Sequence, residues 1–144
     1  MCTYIANVNK SKATKDMVVY KLVKKKFGKY YAPFQDVPYK DNKMSSEIEV
    51  EDGWPGTFSY IRKGIHSFAT LSDAIDYCNE SMTRQSMKKH AIVKAIVPKG
   101  STYYKGYTFM MMFLRSEDTN VIVSDSLVLT NEETNCYDSI AKNK

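Results

Sequence analysis

The side chains with the widest chemical range in this sequence are two histidines and three cysteines. Cys2, Cys78 and Cys136 are odd in number, far apart, and not part of any Cys-x-x-Cys pair. This spacing favours neither a disulfide framework nor a structural zinc site, which needs four closely spaced ligands. The sequence therefore predicts three reduced thiols and no metal.

Motifs that carry a defined reaction are missing from the sequence. It has no glycine-rich phosphate loop, no His-Glu-x-x-His pair and no nucleophile elbow. A Ser-His-Asp set built on His66 is unconstrained, because many serines and aspartates could serve equally well. No cofactor is predicted, and the balance favours a protein that is not an enzyme.

His66 lies where a predicted strand meets the best predicted helix, and it is followed by Ser67 and Thr70. The first turn of a helix offers free N–H groups and a partial positive charge, which attract an anion. We therefore predict that any small-ligand site includes His66, Ser67 and Thr70–Leu71, with Lys21 or Lys63 within reach. The alternative is that Thr70 only caps the helix and His66 only packs.

The helix that would position these residues has the strongest pattern in the chain. Thr70 and Asp73 form a Thr-x-x-Asp start. The residues that follow at helical spacing form one apolar stripe: Leu71, Ala74, Ile75, Cys78 and Met82. The pattern predicts a helix over about residues 71–86, with Cys78 as a small buried apolar side chain rather than a reactive thiol.

Strand patterns occupy most of the remaining chain. They cover residues 17–23, 29–33, 46–50, 57–62, 64–68, 91–97, 107–114 and 121–129, the last with a break at 124–126. Segments 17–23 and 107–114 are apolar on both faces, which is typical of central strands. The sequence thus predicts an α+β fold, with a mostly antiparallel twisted sheet of about six or more strands and one main helix packed on it. Trp54, in a predicted turn, either plugs the core from a loop or makes a surface contact, and the first is the more frequent role of a loop tryptophan.

A chain of 144 residues, 43% of them hydrophobic, fits one domain with a real core. We expect a single domain over residues 1–144, with an ordered core at about 16–130. Residues 1–15 would form a polar arm with at most a short strand at 3–6, and residues 131–144 a polar tail. Neither a signal peptide nor a membrane-spanning run is recognisable, so a cytoplasmic protein is expected.

The net charge is +5 and the isoelectric point about 9.0. Lysines run together at 24–26 and again at 88–89. These runs are interpreted as a solvated strand end and a helix C-terminus, because a nucleic-acid surface needs its charge on one face. The tyrosine pairs at 30–31 and 103–104 lie next to lysines, but neighbouring residues of a strand point to opposite faces and make no common stacking platform.

The order of several short segments resembles a group of small uncharacterised proteins of gut bacteria and their phages. The segments are Asp-Met-Val-Val-Tyr-Lys at 16–21, Gly-Ile-His-Ser-Phe at 64–68 and Pro-Lys-Gly-Ser-Thr-Tyr-Tyr at 98–104. The resemblance covers about residues 16–130 and implies no activity.

The same order is also similar to the ADP-ribosyltransferase-like fold, whose last strand usually carries a catalytic glutamate. Here Tyr20, the His66-Ser67 pair, the helix and the strand that includes Asp125 follow in that sequence. Asp125 stands where glutamate is expected, and the first strand lacks the Arg or His that holds the nicotinamide cofactor. The resemblance therefore implies a degenerate, nucleotide-binding domain whose cleft is lined by Tyr20, His66, Ser67 and Asp125.

Three functional hypotheses follow. The first is a non-enzymatic cytoplasmic binding or accessory protein, which the first resemblance would make phage-derived. The second is the degenerate nucleotide-binding domain, and the third is a weak nucleic-acid binder, suggested by the positive charge. The expected partner is an anionic small ligand or another protein, and no membrane partner is expected.

Overall fold

The computed structural model describes residues 3–5, 10–31, 39, 42–52, 59–108 and 121–136. Within these ranges two helices interrupt a series of strands. The elements in chain order are β1 (Thr3–Ile5), β2 (Ser11–Lys12), β3 (Met17–Lys26), β4 (Lys29–Tyr31), β5 (Lys43–Ser45), β6 (Glu49–Asp52), β7 (Ser59–Lys63), β8 (Ile65–Phe68), α1 (Leu71–Ser81), α2 (Arg84–Lys88), β9 (His90–Val97), β10 (Thr102–Thr108), β11 (Val121–Ser124) and β12 (Ser126–Asn135).

The described strands form one hydrogen-bonded network in the order β5-β12-β9-β3-β8-β11-β10-β1-β7-β6, with β4 beside β3 and β2 beside β10. Every pairing in it is antiparallel. Among the described elements the strands outnumber the helices, of which α1 is the main one. The predicted α+β class, with a mostly antiparallel sheet, is therefore confirmed.

The alternation of side chains along β3 divides the core into two layers. Leu22 points to the side that carries α1, whereas Val19 and Val23 point to the other side. The buried residues on the helix side are Leu22, Ile61, Phe68, Ala74, Cys78, Met87, Ile92, Tyr104, Val121, Val123 and Cys136. Those on the other side are Ala13, Val19, Val23, Ile65, Ala91, Val93, Ala95, Val97, Ile122, Leu127 and Leu129. The middle of β3 is therefore covered on both faces, which agrees with the two apolar faces that the sequence predicts for a central strand.

The predicted helical span of about 71–86 divides into two helices. At Met82 the backbone becomes extended, with φ −121° and ψ 142°, and the Met82 N–H donates to the Cys78 carbonyl. Thr83 then caps a new helix, since its side chain accepts a hydrogen bond from the Ser86 N–H. A capping threonine directly after the apolar stripe interrupts the predicted helix, because its hydroxyl competes for backbone N–H groups.

Two parts of the chain that the sequence predicts to be loose take part in the sheet. The stretch from 131 to 135, predicted as polar tail, is instead the second half of β12, and Thr134 pairs with Ile92. It is held there because Cys136 is fully buried and Glu133 binds side chains of the β3–β4 hairpin. In the predicted N-terminal arm, β1 and β2 pair with β10, and Ala13 is buried.

Gly64 separates β7 from β8 with φ +152°, a value that favours glycine. A Cβ placed there would lie 2.4 Å from Val123 Cγ1 of the neighbouring β11, so the close approach of the two strands also requires a residue without a side chain. The break predicted at 124–126 is present, because Asp125 separates β11 from β12. Residues 109–114 and Trp54 lie outside the described residues. In the described ranges no helix is long and apolar enough to cross a membrane.

Candidate functional site

His66 and Ser67 lie on β8, opposite Val123 and Ile122 of β11. The Ser67 side chain is fully buried, and its hydroxyl donates to the Ile122 carbonyl at 3.2 Å. The Nδ1 atom of His66 lies 3.2 Å from the Gly64 carbonyl, to which it can only donate. The Ser67 hydroxyl therefore stabilises the contact between β8 and β11 and is not available to bind a ligand.

His66 is held neutral by its surroundings. Burial and the neighbouring positive charge of Lys21 lower the pKa of the His66 ring to about 4. Its Nε2 atom is buried and has no hydrogen-bond partner among the described residues. A neutral ring of this kind cannot attract an anion by charge near pH 7.

Lys21, which the sequence predicts within reach of the candidate site, is a buried lysine. Its exposed fraction is 7%, and its Nζ donates to the His66 carbonyl at 2.6 Å. Burial lowers the pKa of Lys21 to about 8. The side chain points away from α1, among Val19 and Val23, so it supplies no positive charge to the start of the helix.

Thr70 is the N-cap of α1, as the sequence predicts. Its Oγ1 accepts from the Asp73 N–H at 3.1 Å and donates to the Asp73 carboxylate at 2.7 Å. Both capping groups are thus satisfied within the helix. The first turn also carries Asp73, an acidic residue that complements the partial positive charge of the helix start.

Tyr20 and Asp125 line two different clefts. Tyr20 and Leu71 line one of about 490 Å³, which also includes Lys94, Glu132 and Glu133. Its remaining lining residues are Ile92, Asn131 and Thr134.

Asp125 lines a larger cleft of about 800 Å³, together with residues of β5 and β10. Its carboxylate accepts from the Thr102 N–H at 3.1 Å, which ties the β11–β12 turn to β10. Phe68 pairs with Tyr20 on one side and with Val121 on the other, so Tyr20 and Val121 lie at the same level of the sheet. Asp125 follows Val121 by four residues. At about 3.3 Å per residue, Tyr20 and Asp125 are about 13 Å apart along the sheet.

The five residues predicted to form a site are therefore not assembled into one. Tyr20 and Asp125 open onto separate clefts, Ser67 is buried in the sheet and Thr70 caps α1. His66 is close to Thr70 in the chain, but its ring lines neither cleft.

The two described cysteines are free and buried. Their sulfur atoms lie 3.6 Å apart, and Cys78 Sγ donates to Cys136 Sγ. This hydrogen bond and burial raise the pKa of the Cys78 thiol, so it stays protonated and unreactive. No group of three or more histidine, cysteine, aspartate or glutamate side chains suited to a metal ion occurs in the ranges that the structure describes.

A surface that the sequence does not reveal lies at the β3–β4 turn. The backbone N–H of Lys25 donates to the Lys89 carbonyl at 2.8 Å, and Lys24 pairs with His90. The lysine runs at 24–26 and 88–89, far apart in the sequence, therefore meet at one end of the sheet. We call residues 24–29 and 84–89 together the basic end.

Positive charge is concentrated at the basic end. Its two segments contain seven Lys and Arg residues and no Asp or Glu, although the whole chain has a net charge of only +5. The rest of the chain is thus slightly acidic. Two of these charges also face each other, because Lys26 lies directly opposite Lys29 across the hairpin. Like charges in this position destabilise a hairpin.

The carboxylate of Glu133 reaches the side of the basic end. Glu133 of β12 accepts from Lys25 Nζ at 2.7 Å and from the Tyr30 hydroxyl. The hydrogen bonds from Lys25 and Tyr30 lower the pKa of Glu133, whereas burial and the hydrogen bond to Glu133 raise the pKa of Tyr30 to about 12. This contact anchors β12 to the hairpin and leaves Lys26 and Lys29, nearer the turn, outside it.

Phe27 stands at the tip of the basic end. Phe27 and Gly28 have φ angles of 51° and 74°, the pattern of a type I′ turn. This turn suits Asn-Gly, and an L-residue with a large side chain loses about 1–2 kcal/mol in the left-handed region. Phe27 is nevertheless 90% exposed, and the Lys26 ammonium lies 5.8 Å from the centre of its ring. An aromatic residue before the glycine of a lysine-rich turn is the sequence signal that could have pointed here.

Comparisons of the chain with protein-family models, with curated proteins and with solved structures find no match.

Proposed function

We propose that this protein is a non-enzymatic, cytoplasmic binding protein whose partner is a nucleic acid, bound at the basic end. The observation that carries the proposal is the meeting of the two lysine runs, through the Lys25–Lys89 hydrogen bond, in a segment pair without a carboxylate. Clustered charge on one surface is what phosphate recognition needs. The cytoplasmic location is supported by the free, buried thiols of Cys78 and Cys136, which suit a reducing compartment.

A polymer fits this surface better than a small anion does. Most lysines of the basic end are exposed on the surface rather than gathered in a cavity. The exposed ones are Lys25, Lys26, Lys29, Lys88 and Lys89. Neither of the two clefts described above includes a residue of the basic end. A string of phosphates gains from each lysine that it meets by releasing a counterion, whereas a single anion in water gains little from exposed lysines.

The test is binding of fluorescently labelled oligonucleotides to the full chain, followed by anisotropy between about 50 and 200 mM salt. Phosphate binding predicts a linear fall of the logarithm of affinity with the logarithm of salt concentration. The double variant Lys26→Gln/Lys29→Gln should bind more weakly and show a shallower salt slope, by about 0.7–0.9 for each phosphate that is no longer neutralised. It should remain folded, because it removes a pair of opposed like charges.

A matched control is Lys43→Gln/Lys99→Gln, which removes the same charge from exposed positions elsewhere. Lys99 follows β9, whose last residue Val97 pairs with Met17 at the end of β3 opposite the basic end. The control should keep both the affinity and most of the salt slope. Equal losses of affinity in the two double variants would show that only net charge matters, and no salt-dependent binding by the wild type would refute the proposal.

A further inference from the structure

Phe27 combines three features that packing does not explain. The residue is 90% exposed, its backbone is in the left-handed region, and the nearby Lys26 and Lys29 face each other across the turn. A single exposed apolar side chain is ordinary on a protein surface. A large one held in an unfavourable backbone conformation, inside a cluster of like charges, is a local arrangement that folding does not favour.

We infer that Phe27 stacks on an unpaired base of a single-stranded nucleic acid whose phosphates are held by the lysines of the basic end. This inference rests on the proposed function and adds the kind of strand that is bound. Sequence-tolerant binding of single strands combines a positively charged surface with aromatic rings on which bases stack. In a duplex the bases already stack on one another and offer no free face, so the turn selects for unpaired strands.

The geometry of the turn suits this role. The Lys26 ammonium lies 5.8 Å from the centre of the ring, on one side of it. It can hold a phosphate next to the nucleotide whose base stacks, and the high exposure of Phe27 leaves ring surface available for that base. The type I′ turn is a tight two-residue connection, so the ring projects from a fixed position at the end of the hairpin.

An anionic membrane surface is the competing partner for a lysine-rich turn with an exposed aromatic residue. Insertion into a bilayer interface gains from the total apolar area that reaches the same depth. Among the described residues the exposed large hydrophobic side chains are Phe27 and Val18. Val18 is nine positions away along the chain and lies toward the opposite end of β3, about 30 Å from the turn at 3.3 Å per residue. One ring is a small anchor for a membrane, but it is enough for one base.

The experiment compares the wild type with Phe27→Asn and Phe27→Tyr, using labelled single strands of DNA and RNA of about 12 nucleotides and a duplex of the same length. Asn-Gly is the preferred type I′ sequence, so Phe27→Asn removes the ring without harming the turn, which a thermal melt verifies. We expect Phe27→Asn to weaken single-strand binding about tenfold, with an unchanged salt slope, because the lysines still bind the phosphates. Phe27→Tyr should bind single strands like the wild type. We expect the duplex to bind more weakly than the single strands, and the affinity for the duplex should not depend on residue 27.

Several results would overturn the inference. If Phe27→Asn binds single strands as tightly as the wild type while Lys26→Gln/Lys29→Gln does not, Phe27 does not stack, and the proposed function stands. If Phe27→Asn weakens duplex and single strand equally, the ring does not recognise unpaired bases. If the wild type sediments with phosphatidylserine vesicles in a manner that requires Phe27, and oligonucleotide binding does not require it, the ring recognises lipid. If the wild type binds no oligonucleotide at all, the proposed function fails and this inference fails with it.

Discussion

Phe68 and Phe27 lie in two regions that differ in how far their side chains are exposed to solvent. Phe68, at the junction of β8 and α1, is 1% exposed, and its ring centre lies 5.2 Å from that of Tyr77. Phe27, at the β3–β4 turn, is 90% exposed and sits among lysines. The junction has the residue types of a ligand site, a histidine, a serine and a helix start, whereas the turn has only lysines and an aromatic ring.

The difference shows that residue types alone do not identify a site. At the junction the polar groups are turned inward: the Ser67 hydroxyl binds the Ile122 carbonyl, and Thr70 and Asp73 bind each other. At the turn, like charges oppose each other, and Phe27 belongs to neither of the two core clusters formed by the described residues. Groups that are already satisfied within the fold have little left for a ligand, whereas arrangements that cost folding energy suggest a role outside it.

The largest expected effect comes from the buried phenylalanine. Phe68→Ala should lower the free energy of unfolding by about 3–5 kcal/mol, because it leaves a cavity between the sheet and α1. Urea denaturation followed by circular dichroism measures this. The matched control, Phe27→Ala, removes an equally large ring and should change stability by under about 0.5 kcal/mol. Similar decreases in stability from the two variants would contradict the contrast between the regions.

Next in size is the effect of acid on the junction. The pKa of His66 is lowered to about 4 from 6.5, so between these values the unfolded chain takes up a proton that the folded chain does not. Stability should therefore fall as the pH decreases from 6.5 to 4, by up to about 3 kcal/mol from this group. In His66→Gln, unfolding measured over the same range should lack this part of the decline. An identical pH profile would mean that His66 titrates normally and is open to solvent.

A smaller effect is expected at the start of α1. Thr70→Ala should destabilise the protein by about 1 kcal/mol, because the Asp73 N–H loses its acceptor. Thr70→Ser keeps the hydroxyl and should retain most of the stability. Chemical denaturation distinguishes the two variants. If Thr70→Ala were neutral, the hydroxyl would be dispensable to the helix, and the junction would again be a candidate for ligand binding.

The smallest effect, and the one of opposite sign, belongs to the turn. Phe27→Asn should raise the free energy of unfolding by under about 1 kcal/mol, because asparagine tolerates the left-handed backbone that Phe27 adopts. Thermal unfolding of the purified full chain measures the change. A stabilised variant that also binds single strands more weakly would show that the turn sacrifices stability for binding. A lower stability would show instead that the ring packs in solution.

Much of the local structure follows from the sequence. The start of α1 at Thr70, the two apolar faces of β3 and the break at Asp125 are all set by the types and spacing of neighbouring residues. The division of the helix at Thr83 and the continuation of β12 to Asn135 were not predicted. The first depends on the Thr83 side chain, which caps a second helix. The second depends on hydrogen bonds of Glu133 with Lys25 and Tyr30, more than a hundred residues earlier.

The candidate surface could be read from the sequence only in pieces. The lysine runs, the Phe27-Gly28 pair and the odd number of cysteines are visible in the chain, and so is the lack of a catalytic motif. Only the pairing of β3 with β9 brings the run at 24–26 next to the one at 88–89, because strand order depends on interactions between distant segments. The same long-range packing buries the Nε2 atom of His66 and separates Tyr20 from Asp125. Local pattern thus determined which elements form, whereas the tertiary structure decided which of their side chains remain available to a partner.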